Sequence, residues 1–528
     1  MITQTLSYRQ TAAFSTLALD YVEKSEMFST FTSAEFSLAG IQKAIGIKGK
    51  NFAPKMREQL VTALKRQYAD GDYQLPQAQL ERILEADTFS VCTAHQPNLM
   101  GGPAYWVYKI AGAIALANRL NADLPGFFVP VYWMGAEDHD FEELNHLYVF
   151  SQRLTWESNQ KGAVGRMQLT GLEEIFSQLE QILGDSVNAR VFMHEITDCF
   201  KAEYTLAKAT RLFADRLFGR YGLVVVDGDD PVLKAAFSPV ILDELVHASS
   251  EGMVHQSAES LDKLGYKAQI YPREINLFWL EEQMRERIIK HHDGYATADG
   301  SKSWSQEEML ELARNKSENF SPNVVLRPVY QEMVLPNIAF IGGGAEVAYW
   351  MLLKPVFDRY ELPLPVIMLR SSVLHLDKSS ANKMQKLGIA LPQLFDDEQN
   401  LINSFIAAHE SAVFKMDGIV EALDALYLGA SEQIAQVDES LRAATLSEGK
   451  KALSALKGLE ARARKSQKQR HETELNQIVA LKQKLFPERQ LQERHDSFMN
   501  FYLMHGHEYI DHCVQELDPL RKLFFVFS

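Results

Sequence analysis

Three times in this chain a short, almost wholly apolar run stops at a cluster of polar residues. The runs are TFSVCTAHQPNL at 88–99, GFFVPVYWMGAEDHD at 126–140 and GLVVVDGDDP at 222–231. Between the first two lies YWVYKIAGAIALANRL at 105–120, which has the length and apolar spacing of a buried helix. Apolar strands separated by helices are what a parallel sheet covered by helices requires. Segments 324–357 and 364–373 restore the same alternation, so the chain reads as α/β. Ligands of such sheets collect at the carboxyl ends of the strands, where the polar clusters fall.

Composition narrows the function classes. The 528 residues are 46% hydrophobic and 23% charged, enough apolar material for more than one packed unit. A net charge of −15 argues against a broad nucleic-acid face, yet leaves room for a local basic pocket that takes a small anion. Cys92, Cys199 and Cys513 are far apart, so neither a disulfide framework nor a thiolate zinc site is expected. The first residues lack the pattern of a secretory leader, and no apolar run is long enough to span a membrane. The expected location is the reducing cytoplasm.

The pattern divides the chain. Residues 1–87 read as helical and 88–377 as an α/β core, interrupted by insertions at about 146–220 and 265–320. Residues 378–486 lose most of their glycine and proline and read as two long helices forming a coiled-coil arm. Its seam is read from Ile434, Val437 and Leu441, then from Leu475, Ile478, Leu481 and Leu485. A basic run there (Arg462, Arg464, Lys465, Lys468 and Arg470) reads as a solvated helix face or a contact to an anion. Residues 487–528 are rich in aromatics and are expected to return to the core.

Four segments carry side chains suited to chemistry. His95, Gln96 and Asn98, followed by Gly101-Gly102-Pro103 and Lys109, offer donors to a phosphate or carboxylate at a strand end. Glu137, Asp138, His139 and Asp140, with Asn145 and His146 beyond, could bind an amine, hold a cation or act as general bases. Neither HExxH nor any other defined metal spacing is present. Arg327, Tyr330 and Gln331 precede the glycine run Gly342-Gly343-Gly344, with Glu346 in the following helical turn; this grouping suits close approach to a ligand. Lys378, Ser379 and Ser380 start a helix, a weak phosphate signal beside the plain reading as a cap.

Taken together, these stretches resemble one family. TAHQPNLMGGPAYWVYK, PVYWMGAEDHDFEELNH, RPVYQEMVLPNIAFIGGGAEVAYW and PERQLQERHDSFMN match, in order, the motifs of the cysteine-ligase family of bacillithiol biosynthesis. The resemblance implies a Rossmann-like core related to class I aminoacyl-tRNA synthetases, connecting insertions, and a helical coiled coil that supports a homodimer. It also implies addition of L-cysteine to the amino group of glucosaminyl malate. In that frame His95-Gln96-Pro97-Asn98 stands where a synthetase carries its HIGH motif, and Lys378-Ser379-Ser380 roughly where KMSKS would lie. His95 replaces a glutamine usual in the family, and the glycine run lacks the family's proline.

Amide formation from a free carboxylate is uphill, so ATP or another nucleotide is expected as activator, with a cysteinyl adenylate as the natural route. Asp138 or Asp140 would be the base, with His139 and His95 beside them. No zinc is expected. Two rival readings are a metal-dependent hydrolase built on Glu137–Asp140 and a nucleotide-binding coiled-coil assembly protein. The ligase reading requires the His95 and Gly342–Gly344 segments to face one cleft with Glu137–Asp140 on its wall.

Overall fold

The computed structural model describes residues 1–75, 77–268, 270, 272–409 and 416–528, with the side chains of 77, 417, 467 and 468 also outside the description. The central sheet has five parallel strands: β1 Thr88–His95, β2 Phe127–Met134, β3 Val224–Asp227, β4 Asn337–Gly342 and β5 Val366–Leu369. Their spatial order is β5-β4-β1-β2-β3. β1 thus pairs with β2 on one side and β4 on the other, which puts the topological switch point between β1 and β4. The strands are apolar throughout because they are buried: every residue of β4 and β5 is buried, as is all of β1 up to His95.

Three helices set the site. α1, Tyr105–Asp123, follows β1 and packs on β1 and β2; Trp106, Val107, Tyr108 and Ile110 are fully buried along it. α2, Arg327–Val334, opens with Pro328 in its first turn, where a missing N–H costs nothing. α3, Gly344–Leu352, starts directly beyond β4.

The insertions are more specific than the sequence pattern suggested. His146–Val149 and Gln152–Thr155 form a short antiparallel hairpin, and helices follow at Glu173–Leu183, Val187–Cys199 and Leu206–Phe218. The second insertion is a five-stranded antiparallel sheet, running from Leu277–Glu281 to Phe320–Pro322.

The expectation of an all-helical amino-terminal segment is corrected at its start. Thr3–Ser7 is a strand, antiparallel to Leu523–Phe527, which in turn pairs in parallel with Ser372–His375. The partner lies at the far end of the chain, so no local periodicity could reveal the pairing.

The chain divides into two compact units, Met1–His375 with Gln490–Ser528, and Leu376–Arg489. Within the second, the described residues form the expected pair of long helices, Asp417–Ala435 and Arg442–Arg470, together with the shorter helices Lys378–Leu387, Glu398–His409 and Glu472–Leu485. Asp417–Ala435 packs along Arg442–Arg470 as a helical hairpin, Gly449 lying against the Tyr427 ring. Ile434, Val437 and Leu441 are not a seam. They sit at the hairpin turn, and Val437 is 89% exposed. Asp438 caps a new turn there by accepting from the Ser440 N–H, which breaks the three-and-four spacing. Leu475, Ile478, Leu481 and Leu485 are buried against the two shorter helices, within the unit. Arg462, Arg464 and Lys465 are exposed, and the Lys468 side chain is outside the described residues. Among the described residues no helix is long and apolar enough to cross a membrane.

Ile478 is fully buried while Leu459 is 57% exposed. Ile478→Ala should therefore cost the helical unit about 2–5 kcal/mol through the lost contacts and the cavity left behind, and Leu459→Ala less than about 0.5 kcal/mol. Urea unfolding followed by circular dichroism will show whether the two differ in this way; equal losses would mean that the Ile478 row is not the core of the unit.

Candidate active site

At the switch point the carboxyl ends of β1, β2 and β4 frame a cleft of about 350 Å³, large enough for a small metabolite. Its walls include His95 and Gln96 beyond β1, Glu137 and Asp138 beyond β2, and Gly343, Gly344 and Glu346 at the start of α3. Arg327 and Tyr349 close one side, while Tyr105, Arg370 and Arg494 close another, and Arg285 reaches in from the inserted sheet. His95 and Asp138 thus share one cleft.

A buried ion pair ties the framework together. Lys109 of α1 is 3% exposed; its ammonium donates to the Ala94 carbonyl at 2.7 Å and pairs with Glu346 at 2.5 Å. The same Glu346 carboxylate accepts from the Gly343 N–H at 2.8 Å. One side chain therefore fastens the end of β1 to the start of α3. Burial pulls the Lys109 ammonium below its usual range, and Glu346 opposes that shift. Of the three glycines only Gly342 is demanded by packing: a Cβ there would meet the Glu346 Cβ at 2.8 Å and the Phe340 ring at 2.9 Å. A Cβ on Gly343 or Gly344 would make only ordinary contacts, with Glu346 Oε2 at 3.6 Å and with the Ala18 Cβ at 3.7 Å.

The acidic run splits into three environments. Glu137 is buried and bonded to the Lys234 ammonium, which also contacts Asp229 at 3.0 Å. Burial raises the Glu137 carboxyl, and Lys234 counteracts it. Asp138 accepts from Gln96 Nε2 at 3.1 Å and from the His139 N–H at 2.7 Å, with Arg285 at 4.0 Å. Burial alone would raise this carboxyl, but Arg285 and these donors outweigh it and hold Asp138 below the usual carboxylate range. It is ionised at neutral pH.

His139 and Asp140 are exposed and do not line the cleft, contrary to the expectation for the catalytic set. His139 Nδ1 lies 2.7 Å from Arg285 Nη1. A guanidinium has no acceptor, so the imidazole nitrogen accepts and His139 serves to hold Arg285. Asp140 opens the short helix Phe141–Leu144 without a side-chain capping bond.

Other expected ligand contacts prove to be supports. Asn98 is buried beneath the Gly101–Gly102 turn, where a Cβ on Gly102, at φ +61°, would fall 2.7 Å from Asn98 Nδ2. Asn145 donates to the Trp156 carbonyl at 3.2 Å and closes the hairpin. The Tyr330 hydroxyl donates to the Gly228 carbonyl at 2.7 Å, and its ring packs edge-on to Trp133. Gln331 accepts from Arg327 at 2.9 Å behind the wall. Lys378, Ser379 and Ser380 belong to the other unit. There the Asp377 carboxylate already takes the Ser379 and Ser380 N–H groups and the Ser380 hydroxyl, so that helix start has no free phosphate cradle.

Tyr105 and Arg494 fall within the motifs GGPAYWVYK and PERQLQERHDSFMN without being named there as site residues, and Arg285 and Arg370 lie in none of the four motifs. His95 meets the Tyr105 ring at 5.1 Å between centroids, and the Arg370 and Arg494 guanidiniums lie over the same ring at 5.2 and 5.8 Å. Burial, reinforced by Lys109, Arg370 and Arg494, holds His95 well below the usual imidazole range, so its ring is neutral. His95 Nε2 is buried without a partner among the described residues. Arg370 follows β5 directly, so the strand-end rule that found His95 could have found it. Arg285 sits on a hairpin of the insertion, where nothing local marks it. Among the described residues no three His, Cys, Asp or Glu side chains converge as metal ligands would.

A parallel sheet with a polar, metabolite-sized cleft at its switch point defines a Rossmann-like small-molecule-binding protein. Residues 1–371 match the family model described as bacillithiol biosynthesis BshC, N-terminal Rossmann-like domain, and residues 373–528 match the BshC C-terminal coiled-coil domain. The chain belongs to the bacillithiol-biosynthesis BshC family. Its relatives include a protein of Flavobacterium psychrophilum, 38% identical across 100% of this chain and 99% of that one, and one of Flavobacterium johnsoniae, 37% identical across 100% of both. Each carries the name "Putative cysteine ligase BshC", so the family is one named for ligase chemistry. A solved chain described as a "putative arginyl t-RNA synthetase" from Campylobacter jejuni overlays with a TM-score of 0.24 at 11% identity, covering 88% of this chain and 98% of that one, too slight to bear on function.

The acids behind the cleft yield a pH test. Burial, with Asp229 adding to it, raises Asp227 to about 7. Asp229 itself, despite its burial, is brought down to about 2 by Lys234 and Arg166. A carboxyl whose folded pKa exceeds its unfolded value, about 3.9, stabilises the fold most below that value, and the contribution is lost as pH rises toward 7. Asp227→Asn keeps the acceptor for the Asp229 N–H. Its melting temperature relative to wild type should therefore climb between about pH 4 and 7. A constant difference across that range would show that Asp227 is ionised throughout.

Proposed function

We propose that this protein joins the carboxyl group of L-cysteine to the amino group of glucosaminyl malate, giving the amide bacillithiol. The observation that carries the reading is the pairing, in one cleft, of an ionised Asp138 with a neutral, unpartnered His95 in a chain of the BshC family. The sugar amine attacks an activated cysteinyl carbonyl, the new C–N bond forms, and the leaving group departs with its bonding pair. Asp138 receives the attacking amine. Its depressed pKa makes it a weak base, so its main contribution is to stabilise the positive charge that develops on nitrogen, and the proton passes through it. Gln96 fixes the carboxylate by donating to one oxygen, while the backbone N–H groups of His139 and Asp140 hold the other. His95 Nε2 is available to bond the leaving group.

A nucleoside triphosphate, when bound, supplies the leaving group that makes amide formation downhill. The basic side chains of the cleft fit its anionic groups, whereas the occupied helix start at Lys378–Ser380 does not. A homodimer through the helical hairpin belongs to the same reading, since Leu426 and Leu428 are 67% and 55% exposed on it. Sedimentation should find two chains together, and single chains once both leucines are changed to Asp; a monomeric wild type would remove the dimer from the account.

Asp138→Asn keeps the size and the Gln96 contact but removes the charge. Turnover of cysteine into the amide should fall by roughly 100-fold at unchanged melting temperature, while Asp140→Asn should stay within about twofold of wild type. Near-normal turnover in Asp138→Asn, read by mass spectrometry of the thiol product, would sink the mechanism.

A further inference from the structure

The charged groups on the cleft wall are matched one to one, with two exceptions. Lys109 pairs with Glu346 at 2.5 Å, Arg285 with Asp138 at 4.0 Å, and Glu137 with Lys234. Arg370 pairs with Glu493 at 2.7 Å, both almost fully buried. Arg327 and Arg494 make no ion pair among the described residues. Arg327 bonds only neutral groups, Gln331 Oε1 at 2.9 Å and the Tyr349 hydroxyl at 3.4 Å; Arg494 lies over the Tyr105 ring.

Both guanidiniums are nonetheless held in place. The Gln331 amide that accepts from Arg327 donates to Glu332 at 2.9 Å, and Asn337 donates to the same oxygen at 2.7 Å. The charge of Glu332 is met by buried Lys48 at 3.6 Å. The relay is therefore neutral overall and orients Arg327 without cancelling its charge. Arg494 is exposed, but its root is clamped: Gln492 Oε1 accepts from the His375 N–H at 2.9 Å and Glu493 from the Val373 N–H at 2.9 Å. Two rigidly based guanidiniums, each with its fork free of carboxylate, match the geometry of carboxylates and phosphates.

We propose that Arg327 and Arg494 form a two-point clamp for a ligand bearing two separate anionic groups, Arg327 at the inner wall and Arg494 at the rim. The proposal deepens the ligase reading, on which it rests only for the identity of the ligand. Two sources share the chemistry, a dicarboxylate such as the malyl part of the acceptor and the phosphate chain of a nucleotide.

The test is calorimetric titration of the full chain with L-malate, with its monoanionic analogue L-lactate, and with pyrophosphate. One of the two ligands with paired anionic groups, malate or pyrophosphate, should bind at least tenfold more tightly than lactate. That ligand should lose at least tenfold in affinity in both Arg327→Gln and Arg494→Gln, with partial recovery in Arg494→Lys. Malate as the sensitive probe assigns the clamp to the acceptor, and pyrophosphate assigns it to the nucleotide. Arg494 is exposed, so its variants should melt with the wild type and the readout does not depend on folding. Binding of that ligand that survives either Gln substitution, or no preference over lactate, overturns the clamp. Amide formation measured in parallel separates the two claims: a two-arginine-dependent ligand with no amide product would sink the ligase reading alone, and product formed at unchanged KM in both variants would sink the clamp alone.

Discussion

The Lys109 ammonium is the joint on which the site depends. It reaches from α1 to the last residues of β1 and to the first turn of α3, bonding a carbonyl on one and a carboxylate on the other. The ladder pairs β1 with β2 as far as His95 and β4 with β5 as far as Gly342, and Lys109 adds the link from the end of β1 to the start of α3. An ammonium this deep costs several kcal/mol to desolvate and is tolerated only with a carboxylate and a carbonyl in reach. Removing either partner would leave a buried charge without compensation and free the two loops that line the cleft. The switch-point topology says where a ligand can enter; Lys109 and Glu346 hold the opening in shape.

Around that joint the molecule reconciles an acidic surface with a basic pocket. The net charge of −15 is spread over the chain, while five cationic side chains, Lys109, Arg285, Arg327, Arg370 and Arg494, gather on one cleft against three carboxylates, Glu137, Asp138 and Glu346. Low-dielectric walls concentrate that field, which favours small anions at the site and repels polyanions elsewhere. Burial, reinforced by that field, keeps His95 neutral, while Arg285 and the donors around it keep Asp138 ionised against its burial, a separation of protonation states that suits transfer of an acyl group to an amine.

Much of this was readable from residue order, for a definite reason. A strand that ends in polar residues advertises the carboxyl edge of a parallel sheet, and His95, Gln96, Glu137 and Asp138 were legible by that rule, while the Gly342–Glu346 turn was legible from its glycine run before a helix. The rule cannot tell which side of a polar run faces the ligand. Asp138 lines the cleft, whereas His139 and Asp140, the next two residues, do not: the chain folds around the Asp138 carboxylate, which takes both their N–H groups, and enters a short helix at Phe141. Asn145 looked like a donor to a ligand but closes onto the Trp156 carbonyl, and Asn98 is buried under the glycine turn rather than on the cleft wall. Arg285 and Arg494 come from an insertion and from a segment more than a hundred residues beyond the core strands, and only folding brings them together. In the helical unit, the seam at Leu475–Leu485 was visible in its spacing. The steps through Ile434, Val437 and Leu441 ran across a turn that Asp438 caps, and periodicity alone does not see a cap.

Amide formation in this one cleft is what the proposed chemistry requires. Gly343 lines it, and a Cβ added there would be in ordinary contact with Glu346 Oε2 at 3.6 Å and Arg370 Nε at 3.9 Å, so a bulky side chain at this position crowds the cleft. The direct measurement is mass spectrometry of the purified chain supplied with L-cysteine and glucosaminyl malate, with and without ATP, for wild type and Gly343→Trp. Wild type should give the cysteinyl amide, and the filled variant none above background at an unchanged melting temperature. Amide produced at the wild-type rate with the cleft filled would place the reaction elsewhere and contradict the account.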